Sequence, residues 1–198
     1  GERVVMGGTC AEYDWKYGFC SEFITPRNPD TPYGICKNAL QEMVSCYCET
    51  TNLSSAWGRI FFPYGAGEYP NRLVSSVILS LLKGEPARCS HGNQIRDFLY
   101  VQDVADAFVA LLESEVTGAV NIGSGRAIAI KDVVYKIADM IGRSDLVQLG
   151  AIGPAPKETP LLVADVTRLS NEVGWQPKLN LEMGLRQAII WWENQLLS

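Results

Sequence analysis

The sequence has little positive charge and no long apolar run. Its 198 residues include 17 basic and 22 acidic residues, and the formal net charge is −5. With no run of lysine or arginine, there is no electrostatic basis for binding nucleic acid or an anionic membrane surface. No apolar stretch reaches the roughly 18 residues that a membrane-spanning helix needs, and no signal-peptide pattern opens the chain. We therefore expect a cytoplasmic protein whose partner is a small molecule.

Patterns typical of metal sites and disulfides are also missing. The six cysteines form no C-x-x-C pair, and no cysteine–histidine cluster has the spacing of zinc ligands. The single histidine, His91, lies in a predicted loop and is interpreted as solvated, with substrate contact as the alternative. The sequence thus predicts no metal site and free thiols in the core. The cysteines are Cys10, Cys20, Cys36, Cys46, Cys48 and Cys89.

What the sequence does contain is an alternation of strand and helix patterns. The runs RVVMGG, SSAWGRIFF, GAVNIGSG and LLVAD predict strands. Between them, apolar periodicity predicts helices, most clearly at 130–141 before Gly142. This alternation predicts an α/β fold with a parallel sheet. Because a parallel strand needs a crossover helix and neighbouring strands, a strand at residue 3 leads us to expect an amino-terminal truncation.

Apolar periodicity and turn-forming residues also assign the remaining segments. Other helices are predicted at 33–50, 73–82, 104–111, 166–173 and 181–196, and irregular segments at 11–32, 62–70 and 153–160.

The spacing of Tyr33 and Lys37 carries the clearest chemical signal. Residues four apart on a helix lie on one face, and an ammonium group beside a phenol favours the phenolate needed for acid/base work. Thr9 follows the first strand at its carboxyl end, where open α/β sheets bind ligands. On spacing alone, an exposed tyrosine with a solvated lysine is the alternative interpretation.

The order of these motifs resembles the extended short-chain dehydrogenase/reductase superfamily, in its nucleotide-sugar epimerase/dehydratase branch. TCAEYDW is similar to the segment with a catalytic Ser or Thr before a tyrosine, and TPYGICK to the start of the Tyr/Lys helix. RIFFPYGAGE resembles the strand and loop beside the nicotinamide, and IRDFLYVQDVADAF the family's Arg-Asp-aromatic segment. With NIGSG and LVADVTRLSNEVGWQP, the resemblance extends over essentially the whole chain.

The resemblance implies a partial Rossmann-like, doubly wound parallel sheet with a smaller α/β lobe for the substrate. Residues 1–63 and 97–123 would form the remainder of the NAD(P)-binding domain. Residues 64–96 and 124–198 would form the nucleotide-sugar-binding lobe. Relatives commonly dimerise through the helix that begins at Tyr33, so a homodimer is a further expectation.

Roles for individual residues also follow from the resemblance. Thr9 would bind the sugar hydroxyl or ketone, and Tyr33 would be the acid/base. Lys37 would assist the tyrosine and hold the nicotinamide ribose, and Pro63 would also lie at the cofactor.

The resemblance places three arginines at the substrate. Arg96 would bind the diphosphate through its paired donors, with an ion pair to Asp97 or Asp103 as the alternative. Arg72 and Arg168 are further phosphate candidates, with ordinary surface pairing as the alternative for each.

The chain departs from the family at several positions. In the sugar 4,6-dehydratases an Asp-Glu pair follows the catalytic threonine, whereas Cys10 and Ala11 follow it here. This substitution argues against dehydration. Phe62 stands where many relatives have asparagine, and Lys157 is the nearest substitute for an arginine often found before the last Ala-Asp. These departures leave the identity of the sugar open.

The glycine-rich turn of dinucleotide-binding folds is not found in these 198 residues. Gly123-Ser124-Gly125 follows a predicted strand but lacks the later glycine and the acidic residue about twenty positions on. We therefore expect weak or absent binding of NAD or NADP by this chain alone.

Together these features predict an NAD(P)-dependent enzyme that modifies a nucleoside-diphosphate sugar, present as a truncated chain. A 4-ketosugar reductase is slightly favoured over an epimerase. The alternative is a non-catalytic fragment that binds nucleotide-sugar or serves a structural or interaction role. Stabilisation by nucleotide-sugar would distinguish binding from a purely structural role.

Overall fold

A computed structural model describes residues 1–153 and 158–197 of the chain. The predicted alternation of strands and helices is confirmed. The strands are β1 (Arg3–Thr9), β2 (Phe19–Cys20), β3 (Ser54–Ile60), β4 (Phe62–Tyr64), β5 (Ala87–Arg88), β6 (Ile95–Arg96), β7 (Phe98–Tyr100), β8 (Gly118–Ile122), β9 (Ile128–Ala129), β10 (Val147–Gln148) and β11 (Leu161–Ala164). The helices are α1 (Pro32–Thr51), α2 (Leu73–Leu82), α3 (Val101–Glu113), α4 (Ile130–Ile141), α5 (Thr167–Asn171) and α6 (Leu181–Leu197).

The main sheet has the strand order β1-β3-β8, and both pairs are parallel. Successive residues of a strand point to opposite faces. On β3, Gly58 faces Phe108 of α3, whereas Arg59 bonds to Gln41 of α1. The two helices therefore cover opposite faces of the sheet. Thr9 and Ile60 are paired at the carboxyl edge of the sheet, and both line a cavity there.

Three smaller sheets lie beside the main one. The order β2-β11-β6-β9 is parallel except for the antiparallel pair β6–β9. The pairs β4–β7 and β5–β10 are parallel. Parallel strands joined through helices confirm the predicted α/β fold.

Three apolar cores hold these elements together. One lies among α2, α4 and α6, and another lies between α3 and the main sheet. A third joins the segment after β1 to β2 and β11. The amphipathic helix predicted at 130–141 is confirmed as α4, and Gly142 ends it in the left-handed conformation at φ 75°. Trp191 and Trp192 meet edge to face at 4.6 Å between ring centroids, with Trp192 buried, which supports a packing role.

Several local predictions need correction. Residues 62–64, predicted as loop, form β4 because they pair with β7. The irregular segment 11–32 contains β2 and two short 3₁₀ turns. The prediction of core thiols holds for four cysteines but is wrong for Cys36 and Cys46, because these positions of α1 face outward. Lys157 lies outside the described residues.

No helix among the described residues combines the length and the apolar character that crossing a bilayer requires.

Candidate active site

A cavity of about 490 Å³ opens at the carboxyl edge of β1 and β3. Four residues named from the sequence line it, and they come from different parts of the chain: Thr9, Tyr33, Pro63 and Arg72. Much of the remaining wall is apolar and includes Phe61, Phe62, Leu73, Val74 and Phe98. The cavity thus combines an apolar wall with hydroxyl groups and one guanidinium group, a composition typical of small-molecule sites.

Thr9 ends β1 and caps the 3₁₀ turn at Cys10–Glu12. Its Oγ1 accepts a hydrogen bond from the Ala11 backbone N at 3.2 Å, and its own backbone N donates to Glu12 Oε1 at 2.8 Å. Only 8% of Thr9 is exposed. Because the oxygen accepts from Ala11, the hydroxyl retains its proton for donation to a ligand oxygen.

Tyr33 lies in the first turn of α1, after a Thr31 cap whose Oγ1 accepts from Gly34 N at 3.1 Å. Its side chain lines the cavity and is 58% exposed. Gly34 allows the helix to approach the 3₁₀ turn after β1 closely, because a Cβ there would lie 2.3 Å from the Ala11 carbonyl oxygen. This close approach places the phenol and the Thr9 hydroxyl at one cavity.

Lys37 lies one turn after Tyr33 and is directed to the sheet. Its Nζ donates to the Gly7 carbonyl at 2.9 Å. Lys37 is not among the residues that line the cavity. The lysine therefore ties α1 to β1 beside the cavity, and the rest of its N–H groups remain available to a ligand.

Arg96 is buried, and its guanidinium is already bound to other groups of the protein. Its guanidinium donates to the carbonyls of Ile95 at 2.8 Å and Thr159 at 2.9 Å, and it lies 3.8 Å from Glu158. It also lies over the ring of Phe62, 5.5 Å from the centroid. Burial lowers the pKa of Arg96, and Glu158 opposes that shift.

Arg96 is thus separated from the cavity by Phe62, which does line it. The alternative ion pair with Asp97 or Asp103 is wrong, because its acidic partner is Glu158. Asp97 instead accepts from backbone groups of the β8–β9 loop, and Asp103 from residues before α6.

The other two arginines differ in their surroundings. Arg72 is the residue before the first turn of α2, and it lines the cavity. Arg168 does not line it; it pairs with Glu172, just after α5, at 2.8 Å and donates to the carbonyls of Ala119 and Thr117. The geometry therefore favours Arg72 over Arg168 as a phosphate contact. His91 is exposed, and its Nδ1 accepts from the Asn93 backbone N at 3.1 Å.

Two other ionisable groups, Cys10 and Glu68, also line the cavity. Burial raises the pKa of the Cys10 thiol to about 12, so it is a neutral group at physiological pH. Burial also raises the pKa of Glu68, and a hydrogen bond from Ser75 at 2.6 Å partly opposes the shift.

Sequence reasoning missed a buried polar network behind Thr9. Glu12 and Arg59 form an ion pair at 2.7 Å with side chains 0% and 2% exposed. Two signals could have indicated it: the Thr9-x-x-Glu12 pattern of a capping box, and an arginine inside an apolar strand. Neither signal identifies the partner, which comes from a distant part of the chain.

Comparisons with known proteins identify the family of the chain. The model of the NAD dependent epimerase/dehydratase family matches residues 1–123. The dTDP-glucose 4,6-dehydratase of Escherichia coli is 28% identical over 172 residues, which cover 83% of this chain and 48% of that protein. The chain therefore spans about half the length of this relative. Because the family match begins at residue 1, it does not support describing the chain as a carboxy-terminal part, and truncation is not shown.

Solved structures of two related proteins have a similar fold. MoeE5 in complex with UDP-glucose and NAD is 30% identical, with a TM-score of 0.88 over 98% of this chain and 66% of that one. The UDP-glucose 4-epimerase of Thermus thermophilus, in complex with NAD, is 26% identical, with a TM-score of 0.84 over 97% of this chain and 64% of that one.

Proposed function

Because the chain belongs to the NAD dependent epimerase/dehydratase family, we propose that it acts on a nucleoside-diphosphate sugar as a 4-ketosugar reductase or an epimerase. The observation that carries this proposal is the meeting of Thr9 and Tyr33 at one cavity, from β1 and from α1. A hydroxyl group and a phenol at one cavity can contact the same sugar oxygen.

In the proposed reaction, Tyr33 moves the proton at that sugar oxygen and Thr9 donates a hydrogen bond to it. The Ala11 N–H holds the Thr9 oxygen, so the hydroxyl proton is directed to a ligand rather than to the backbone. The Tyr33 phenol is exposed to the cavity and gives up or takes the proton. A bound nicotinamide would supply the acceptor or donor of the hydride.

The residues present fit the nicotinamide end of NAD or NADP. Pro63 lines the cavity beside Tyr33, and Lys37 uses one N–H on Gly7 and keeps others for a ribose diol. The sequence has no G-x-G-x-x-G turn to receive the pyrophosphate. We therefore propose that Tyr33, Lys37 and Pro63 would hold the nicotinamide end, and that this chain alone binds the cofactor weakly.

The side chains after Thr9 bear on the choice of reaction. Cys10 and Ala11 line the cavity at the positions where an Asp-Glu pair is expected for water elimination. A neutral thiol and a methyl group are poor replacements for these acids. This supports reduction or epimerisation over dehydration, and we favour the reductase.

We propose Arg72 as the first phosphate contact, because it lines the cavity beside Tyr33 and Pro63. Arg96 becomes a contact only if Phe62 moves aside, and Arg168 is the weakest candidate of the three.

We also propose that residues 1–63 and 97–123 serve the cofactor and that residues 64–96 and 124–198 serve the nucleotide-sugar. The separate cores around α3 and around α2, α4 and α6 support this division. Exposed apolar side chains on α1, among them Ile35, Met43 and Tyr47, support a homodimer through that helix.

The test is calorimetric titration of the chain with UDP-glucose and dTDP-glucose, alone and with NADPH. We expect nucleotide-sugar binding, weakened about tenfold by Thr9→Val through loss of one hydrogen bond to the ligand. Tyr33→Phe should abolish turnover of a 4-keto nucleotide-sugar. Tyr47→Phe is the matched control, because Tyr47 is similarly exposed on α1 but does not line the cavity.

The outcomes distinguish the candidate functions. NADPH consumed in proportion to product indicates a reductase, and interconversion without net consumption indicates an epimerase. Binding without turnover indicates a non-catalytic binding fragment. An unchanged melting temperature with every nucleotide-sugar would contradict the proposal and favour a structural or interaction role.

A further inference from the structure

The Glu12 carboxylate lies directly behind the cavity and has no exposed surface. Its Oε1 accepts from the Thr9 backbone N at 2.8 Å and from Trp57 Nε1 at 2.9 Å. Its Oε2 accepts from Arg59 Nε at 2.7 Å. One carboxylate thus joins the end of β1 to two side chains of β3.

Arg59 extends this connection to the helix that carries Tyr33. Its guanidinium donates to Tyr13 Oη at 2.9 Å and to Gln41 Oε1 on α1 at 2.8 Å, and it lies over the Tyr13 ring. Tyr13 in turn donates to Asn121 Oδ1 on β8 at 2.7 Å. A continuous set of hydrogen bonds therefore runs from Thr9 to α1 and to the third strand of the main sheet.

We propose that Glu12 and Arg59 are positioning residues that hold the Thr9 end of β1 in a fixed relation to α1. This inference rests on the proposed function in one respect. The network is needed for activity only if Thr9 and Tyr33 contact the same sugar oxygen. Neither Glu12 nor Arg59 is among the cavity-lining residues, so both act through Thr9 and through Gln41.

Stability alone does not account for the pair. Removing two charges from water is costly, and a buried ion pair is often no more stabilising than apolar residues of the same volume. What the pair provides is fixed geometry, because the three guanidinium nitrogens donate to three acceptors, on the adjacent residues Glu12 and Tyr13 and on Gln41 of α1. Gly8 leaves the space for it, since a Cβ there would lie 2.7 Å from Glu12 Oε1.

The decisive variant is Arg59→Lys, which keeps the positive charge but cannot reach Glu12, Tyr13 and Gln41 together. Gln41→Leu is the second variant; it removes the acceptor on α1, which Arg27 also uses, and leaves the Glu12–Arg59 ion pair in place. Arg186→Lys is the matched control, since Arg186 also pairs with a glutamate, Glu182 at 3.0 Å, but lies outside the network.

Two measurements need no ligand. One is the nuclear Overhauser contact between Ala11, in the 3₁₀ turn after β1, and Gly34 of α1, which are adjacent. The other is amide exchange at Thr9 compared with Ile137 in the α4 core. The third measurement is the dissociation constant of UDP-glucose.

We expect both network variants to fold, to weaken the Ala11–Gly34 contact and to raise the UDP-glucose dissociation constant, by about tenfold for Arg59→Lys. Thr9 exchange should accelerate in Arg59→Lys while Ile137 exchange stays at the wild-type rate. Arg186→Lys should match the wild type in all three measurements.

The inference is overturned if Arg59→Lys retains the wild-type contact and Thr9 exchange, since charge alone would then suffice. It is also overturned if exchange rises equally at Thr9 and Ile137, which indicates a general loss of stability. If the wild-type chain binds no nucleotide-sugar, the proposed function fails, and the two ligand-free measurements still decide whether the pair positions Thr9.

Discussion

The surroundings of individual carboxyl groups in this protein shift their pKa values in opposite directions. Burial raises the pKa of Glu68 at the cavity and of Asp97 beneath the β8–β9 loop. On the surface, hydrogen bonds from Arg168 and Lys178 lower the pKa of Glu172 and Asp106 respectively. The two groups of residues therefore make opposite contributions to the dependence of stability on pH.

Substitutions at Glu68 and Glu172 test these opposite contributions to the pH dependence of stability. A raised folded-state pKa means that the stabilising contribution of Glu68 is complete below its ordinary value of 4.5 and is lost as pH rises. The lowered pKa of Glu172 means that its contribution is present above 4.5 and is lost as pH falls.

The free energy of unfolding of Glu68→Gln, relative to the wild type, should therefore rise as pH increases above 4.5. That of Glu172→Gln, relative to the wild type, should fall as pH increases from acid values to 4.5. Urea unfolding at a series of pH values measures both. Parallel curves for the two variants would contradict the assignment.

At the scale of elements, the approach of β1 to its neighbours depends on small residues. Gly8 and Gly7 are adjacent on β1, but their surroundings differ. A Cβ on Gly8 would lie 2.0 Å from Trp57 Nε1, whereas a Cβ on Gly7 would meet nothing within 4 Å. The strand can therefore tolerate a side chain on one face and not on the other.

Gly8→Ala should lower the free energy of unfolding by about 1–3 kcal/mol, because the added methyl group displaces Trp57 and the Glu12 carboxylate. Gly7→Ala, the matched control, should be neutral or stabilise by about 0.5 kcal/mol through reduced entropy of the unfolded chain. Urea unfolding measures the free energy of unfolding of both variants. Equal decreases for Gly8→Ala and Gly7→Ala would show that the close packing around Gly8 does not restrict the side chain at that position.

At the scale of the whole molecule, two buried aspartates connect the segments. Asp97, between β6 and β7, accepts from Ser124 and Gly125 and from Ala164 of β11. Asp103, on α3, accepts from the backbone N of Lys178 at 3.2 Å and of Leu179 at 3.0 Å. These contacts cross the division proposed between the cofactor and nucleotide-sugar units, so we expect the chain to unfold as one unit.

Asp103→Ala leaves two backbone N–H groups without an acceptor and should lower the free energy of unfolding by about 1–3 kcal/mol. Asp106→Ala, on the same helix, removes surface contacts with Lys178 Nζ and Gln102 and should cost far less than Asp103→Ala. Circular dichroism and tryptophan fluorescence should give coincident transitions in the wild type. Two separate wild-type transitions would contradict a single cooperative unit.

The sequence by itself determined what depends on neighbours along the chain. Apolar periodicity and a following glycine located α4, the run RVVMGG located β1, and the spacing of Tyr33 and Lys37 placed both on one helix. These features are local, because side-chain period and capping act within a few residues. The motif order also indicated the family, to which residues 1–123 match.

The tertiary structure alone decided which distant groups meet. It paired residues 62–64 with β7, placed Phe62 between Arg96 and the cavity, and directed Arg168 to Glu172. It also brought Arg59 to Glu12 and Gln41. A buried charge must find its partner wherever the fold brings one within hydrogen-bonding distance, and local sequence pattern does not contain that choice.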